Sequence, residues 1–143
     1  MINPSLKMNK RGQVSIEYLI MTSFIIFLVI GILGISLFYS NLVRDNIKIN
    51  HLKNFANKII SSSERVFYAG EPSLTTINAY LPSGVSDISI RPLEIIFNIS
   101  TSSGTNIISF ESNVPIQGSI ASSEGVKRIK ISAGLNNVTI EEL

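Results

Sequence analysis

The chain opens with a polar, cationic stretch and passes into an unbroken apolar run. From Tyr18 to Val43, 26 residues, no side chain is charged. Thr22, Ser23, Ser36, Ser40 and Asn41 are its only strongly polar members, and Gly31 and Gly34 interrupt it. A helix crosses the hydrocarbon core of a bilayer with about 20 residues, so 18–43 reads as a transmembrane or assembly segment. Beyond Asn41 the period stays helical but becomes one-sided. Leu52, Phe55, Ala56, Ile59 and Ile60 form one stripe, while Asn50, Lys53, Asn57, Lys58 and Ser61 fall on the other side. No proline occurs between Pro4 and Pro72. The pattern predicts one nearly continuous helix over 13–67, about 80 Å long at about 1.5 Å per residue. A helix of that length cannot fold up inside a 15.7 kDa globule, so it is expected to protrude.

At Tyr68-Ala69-Gly70-Glu71-Pro72 the helix should stop. The period then changes to two. Leu93, Ile95, Phe97 and Ile99 alternate with Glu94, Ile96 and Asn98; Ile129, Ile131 and Ala133 alternate with Arg128, Lys130 and Ser132; Val138 and Ile140 alternate with Asn137, Thr139 and Glu141. Shorter candidates are 75–81, 85–90, 107–111 and 116–121. Pro82-Ser83-Gly84, Ser102-Ser103-Gly104-Thr105 and Gly134-Leu135-Asn136 read as hairpin turns. The expected fold is therefore α+β: a long N-terminal helix and a small head, 68–143, of six or seven short antiparallel strands in a sandwich-like arrangement. A core that small is marginal alone, so the head is expected to lean on the Leu52, Phe55 and Ile59 stripe.

Composition sharpens this picture. Hydrophobic residues make up 45% and charged residues 15%, well below the usual quarter, which excludes a disordered chain. Without cysteine there is neither a disulfide framework nor a thiolate metal site. The net charge of +2 is local: Lys7, Lys10 and Arg11 precede residue 13 with no acid among them, and the rest carries 9 Lys/Arg against 10 Asp/Glu. Nucleic-acid binding has no electrostatic support. The cationic start places the N-terminus in the cytoplasm and the head outside; Arg44, Lys48, Lys53 and Lys58 beyond the run oppose this weakly. An ordinary secretory signal does not fit, because the apolar run is too long and Gly34-Ile35-Ser36, the nearest small-x-small triplet, lies inside it.

Lys10-Arg11-Gly12-Gln13-Val14-Ser15-Ile16-Glu17-Tyr18-Leu19, directly ahead of the run, resembles the class III signal peptide of archaeal type IV pilins. More weakly, Tyr68-Ala69-Gly70-Glu71-Pro72-Ser73 and Tyr80-Leu81-Pro82-Ser83-Gly84-Val85 are similar to the helix-to-sheet junction of those proteins. The resemblance implies a leader, 1–12, removed by a prepilin peptidase between Gly12 and Gln13. It implies Gln13, Ser15, Glu17 and Tyr18 as assembly residues, with Glu17 pairing the new α-amine of Gln13 in a neighbouring subunit. Partners would be further copies of the chain, the peptidase, an assembly ATPase with its membrane platform, and lipid before assembly. The product would be a surface pilus used in attachment.

The residues themselves agree. A carboxylate at the edge of an apolar helix is costly unless paired, and a cut after Gly12 creates a cation one helical turn from Glu17. Cyclisation of an N-terminal glutamine would remove that cation, leaving Ser15, Tyr18 or a backbone amide as donors. The cut also removes Lys7, Lys10 and Arg11, which resist leaving the cytoplasmic face. Two sequons, Asn98-Ile99-Ser100 and Asn137-Val138-Thr139, are candidate N-glycosylation sites on the outward phase of their strands.

No enzyme is expected. His51 has no partners for a ligand or base role, Glu94, Glu111 and Glu124 show no ligand spacing, and the serine-rich stretches lack a paired base. Neither metal nor cofactor is called for. Lys127, Arg128 and Lys130 read as a solvated face or subunit contact, and Glu141-Glu142 as a frayed terminus. Two other readings stay open: a monomeric single-pass surface protein that displays its head to a ligand, and a minor or initiating pilin of a pseudopilus-like system.

Overall fold

The computed structural model describes residues 10–143, with side chains described from Val14 onward. Helix α1 runs unbroken from Lys10 to Ala69. It starts three residues before the expected Gln13, since nothing from Lys10 to Gln13 forbids helical backbone. It passes straight through Gly31 and Gly34, whose Cα positions face open space. At its end Gly70 takes φ 76°, a left-handed conformation that glycine adopts without strain. Its N–H donates to the carbonyl of Phe67 at 3.1 Å, closing the last turn.

Seven strands follow: β1 (Leu74–Leu81), β2 (Val85–Arg91), β3 (Glu94–Thr101), β4 (Gly104–Glu111), β5 (Ile116–Ser119), β6 (Gly125–Ala133) and β7 (Val138–Glu142). They form a four-stranded sheet, ordered β1-β6-β7-β5, and a three-stranded sheet, ordered β2-β3-β4. The class is α+β, as the periodicity predicts.

Two details of the expected topology are corrected. The strands are not all antiparallel, because β5 pairs β7 in parallel, from Ile116 opposite Val138 to Ser119 opposite Glu141. Pro82-Ser83-Gly84 is not a hairpin turn: β1 pairs β6 while β2 pairs β3, so this segment carries the chain from one sheet to the other. The hairpin missed by the turn reading is β2–β3, which reverses at Pro92-Leu93. The other two expected turns do join hairpins, β3–β4 and β6–β7.

The chain divides into two units between Asn41 and Leu42. In the second unit the helical stripe of Leu52, Phe55, Ala56 and Ile59 is buried together with Ile95, Phe97 and Ile99 of β3, Ile129 and Ile131 of β6, and Val138 and Ile140 of β7. Helix and both sheets thus share one core, which offsets the small size of the strand region. Phe55 meets Phe97 edge-to-face, with ring centroids 6.1 Å apart. Polar ties flank the core. The Lys58 Nζ donates to the Asn78 carbonyl at 2.7 Å, and the Asn113 Nδ2 donates to Glu64 Oε1 at 2.7 Å.

Candidate functional site

From Val14 to Val43, through the first unit and two residues into the second, the helix surface is the site. Between Val14 and Val43, 21 large apolar side chains are exposed. A window of 18 residues reaches a mean hydropathy of 2.6, and none of it is buried. Burying such a side chain is worth roughly 1.5–3 kcal/mol. Leaving this surface in water would therefore cost tens of kcal/mol, more than the ~5–15 kcal/mol that holds a domain folded. The helix is long and apolar enough to cross a membrane and is compatible with membrane anchoring.

Ser15, Glu17 and Tyr18 lie on α1 with exposed side chains, and Glu17 has no ion-pair partner among the described residues. The Tyr18 carbonyl accepts from the Thr22 hydroxyl at 2.8 Å, so this threonine's polarity is satisfied inside the helix. Gly12 and Gln13 have helical backbone, but their side chains lie outside the described residues, as do residues 1–9 of the leader.

The sequons are less open than their phase suggested. Asn98 sits on β3, the central strand of its sheet, and is only half exposed; its Oδ1 is buried without a hydrogen-bond partner. Asn137 is not on a strand. It closes the β6–β7 turn, where its carbonyl accepts from the Gly134 N–H at 2.8 Å.

Several groups treated as bystanders prove to be organised. Lys127 is not on a solvated face: it is buried, and its Nζ donates to Glu142 Oε1 at 2.7 Å and to Ser123 Oγ at 2.6 Å. Glu142 is not frayed, since it belongs to β7 and its Oε2 also accepts from the Ala121 N–H at 2.8 Å. The signal was present in the sequence, because Lys127 shares the phase of Ile129 and Ile131. Burial raises the Glu142 carboxyl, but the Lys127 and Ala121 hydrogen bonds and the Lys127 charge outweigh it, so the net shift is below the ordinary value.

Asp45 accepts from the Ser102 hydroxyl and, at 2.9 Å, from the Ser102 N–H, tying α1 to the β3–β4 turn. These hydrogen bonds, helped by the charge of Lys48, hold its carboxyl below the usual range. Glu94 and Glu111 stand opposite each other in β3 and β4, and Arg91 Nη1 reaches Glu94 at 3.3 Å. Among the described residues no three His, Asp or Glu side chains are placed to hold a metal. His51 lies against Tyr80, ring centroids 5.7 Å apart.

Compared with known protein families, curated proteins and solved structures, the chain matches none.

Proposed function

We propose that the chain is a structural subunit of an archaeal-type type IV pilus. In this reading it is cut between Gly12 and Gln13, held in the membrane by 18–43, and then polymerised through α1 into a surface filament. The observation that carries it is the exposure of the apolar helix from Val14 to Val43, whose first turns carry the second half of the Lys10–Leu19 motif. Such a surface needs either lipid or copies of itself. Exchange between the two is nearly neutral per residue, because both surroundings are dry. A change at the helix end, such as a new amine beside Glu17, can therefore decide between them.

The test is the intact mass of the chain from membranes and from sheared surface fibres. Fibre-borne chain lacking residues 1–12 is the expected result. Fibres built of uncut chain, or an uncut chain confined to membranes, would overturn the proposal. The second outcome would instead favour a monomeric surface anchor, a reading supported by the continuous core of 42–143, which is complete within one copy.

A further inference from the structure

At the start of the second unit lies a cleft of about 290 Å³, lined by Arg44, Ile47, Lys48 and His51 of α1, by Tyr80 of β1 and by Pro82 and Ser83 of the β1–β2 crossing. Its chemistry is divided. Two cations one turn apart and an imidazole share it with an isoleucine, a proline and a tyrosine, and Ser83 adds a hydroxyl. Among the described residues no ion pair engages Arg44 or Lys48. The nearest acid on the helix, Asp45, has its carboxylate occupied by Ser102, and Glu124 accepts from the Tyr80 hydroxyl at 3.1 Å. The Lys48 Nζ lies 3.8 Å from where a Cβ on Gly84 would stand, so the amine leans over the crossing that closes the cleft.

Arg44 is the first charged residue after the uncharged run. With ~30 Å of hydrocarbon to cross and about 1.5 Å per residue, a run ending at Val43 puts Arg44 and Lys48 at the level of phospholipid phosphates. Cations at that depth attract anionic lipid by roughly fivefold each. An acidic protein or a nucleic acid would have no use for the isoleucine and the proline.

We infer that the cleft between Arg44, Lys48 and His51 and the β1–β2 crossing binds the phosphate headgroup of an anionic phospholipid in the outer leaflet. The inference rests on the reading of 18–43 as a membrane span. The bound lipid sets the depth of the subunit before assembly and must be released when the helix leaves the bilayer. Once residues 1–12 are gone, this site is the basic anchor nearest the span.

The test uses the full chain in vesicles of phosphatidylcholine with or without phosphatidylglycerol. After gentle solubilisation, native mass spectrometry counts the retained lipid. The expected result is one phosphatidylglycerol per chain, favoured roughly 25-fold over phosphatidylcholine. The paired change Arg44→Gln with Lys48→Gln should bring the two lipids to parity. Arg44→Lys with Lys48→Arg should keep the preference, and so should Lys53→Gln with Arg65→Gln, which removes equal charge elsewhere on α1. Absence of preference in the native chain, equal loss in the Lys53 and Arg65 pair, or displacement of lipid by inorganic phosphate alone would each overturn the inference. Alkaline carbonate extraction separates the two readings. A chain released from vesicles removes the span itself, whereas a retained chain without lipid preference removes only the headgroup site.

Discussion

At the scale of single residues, the head is held by a few positions that allow no alternative. Gly118 takes φ 141°, and a Cβ there would stand 1.9 Å from the carbonyl oxygen of Ile140, its partner in the parallel β5–β7 pair. Gly118→Ala should therefore cost about 2–4 kcal/mol, read as a lowered denaturant midpoint of the detergent-solubilised chain. The Lys127–Glu142 pair makes a different demand. Glu142→Gln removes the negative charge beside the buried Lys127 ammonium and leaves one acceptor oxygen where Lys127 and Ala121 use two, a loss of about 1–3 kcal/mol. The pH dependence follows from the depressed Glu142 carboxyl. The unfolded chain takes up this proton near 4.5, the folded one only lower, so the pair stabilises fully above that value and fades as pH falls through the folded value. Thermal melts in acid should show this slope in the native chain and a flatter one in Glu142→Gln.

At the scale of elements, α1 serves two masters, and its two halves should respond differently to the same truncation. Phe55 is fully buried against Phe97, so Phe55→Ala should destabilise the head by about 3–5 kcal/mol. Ile30 is 63% exposed, so Ile30→Ala should leave head unfolding unchanged and act only on whatever covers the helix. Circular dichroism melts of both variants check the contrast. This division was legible in the sequence, because an all-round apolar run and a one-sided stripe are different patterns. The strands of β3, β6 and β7 were equally legible from their alternation. Pairing was not. Nothing local tells whether Pro82-Ser83-Gly84 turns back or crosses over, and the parallel β5–β7 pair joins segments some twenty residues apart. The alternation of Ile129 and Ile131, extended one step back along β6, reaches buried Lys127. The cleft beside Arg44 and Lys48 had no such signal, since β1 meets the helix only after folding.

At the scale of the whole molecule, the decisive question is what a cut at Gly12 changes for Glu17. In the uncut chain Glu17 lies well inside α1, which begins at Lys10. After the cut the helix begins at Gln13, and Glu17 sits four positions on, on the same face and about 6 Å along the axis. The new end carries the positive pole of the helix dipole and a free amine, so a carboxylate that was an expense in an apolar surface gains a cation within reach. Under the proposed assembly, the amine of the same subunit or of a neighbour would pair Glu17, and only the neighbour's would fix the stagger between copies. Removing the charge while keeping the shape isolates this effect. Glu17→Gln should insert and be cut normally, yet yield at least about tenfold less sheared fibre, the factor that ~1.4 kcal/mol of lost pairing per contact implies. Gly12→Leu should fail one step earlier, leaving uncut chain in the membrane. Intact masses combined with fibre yield separate the two variants, and undiminished fibres from Glu17→Gln would mean that packing alone sets the register.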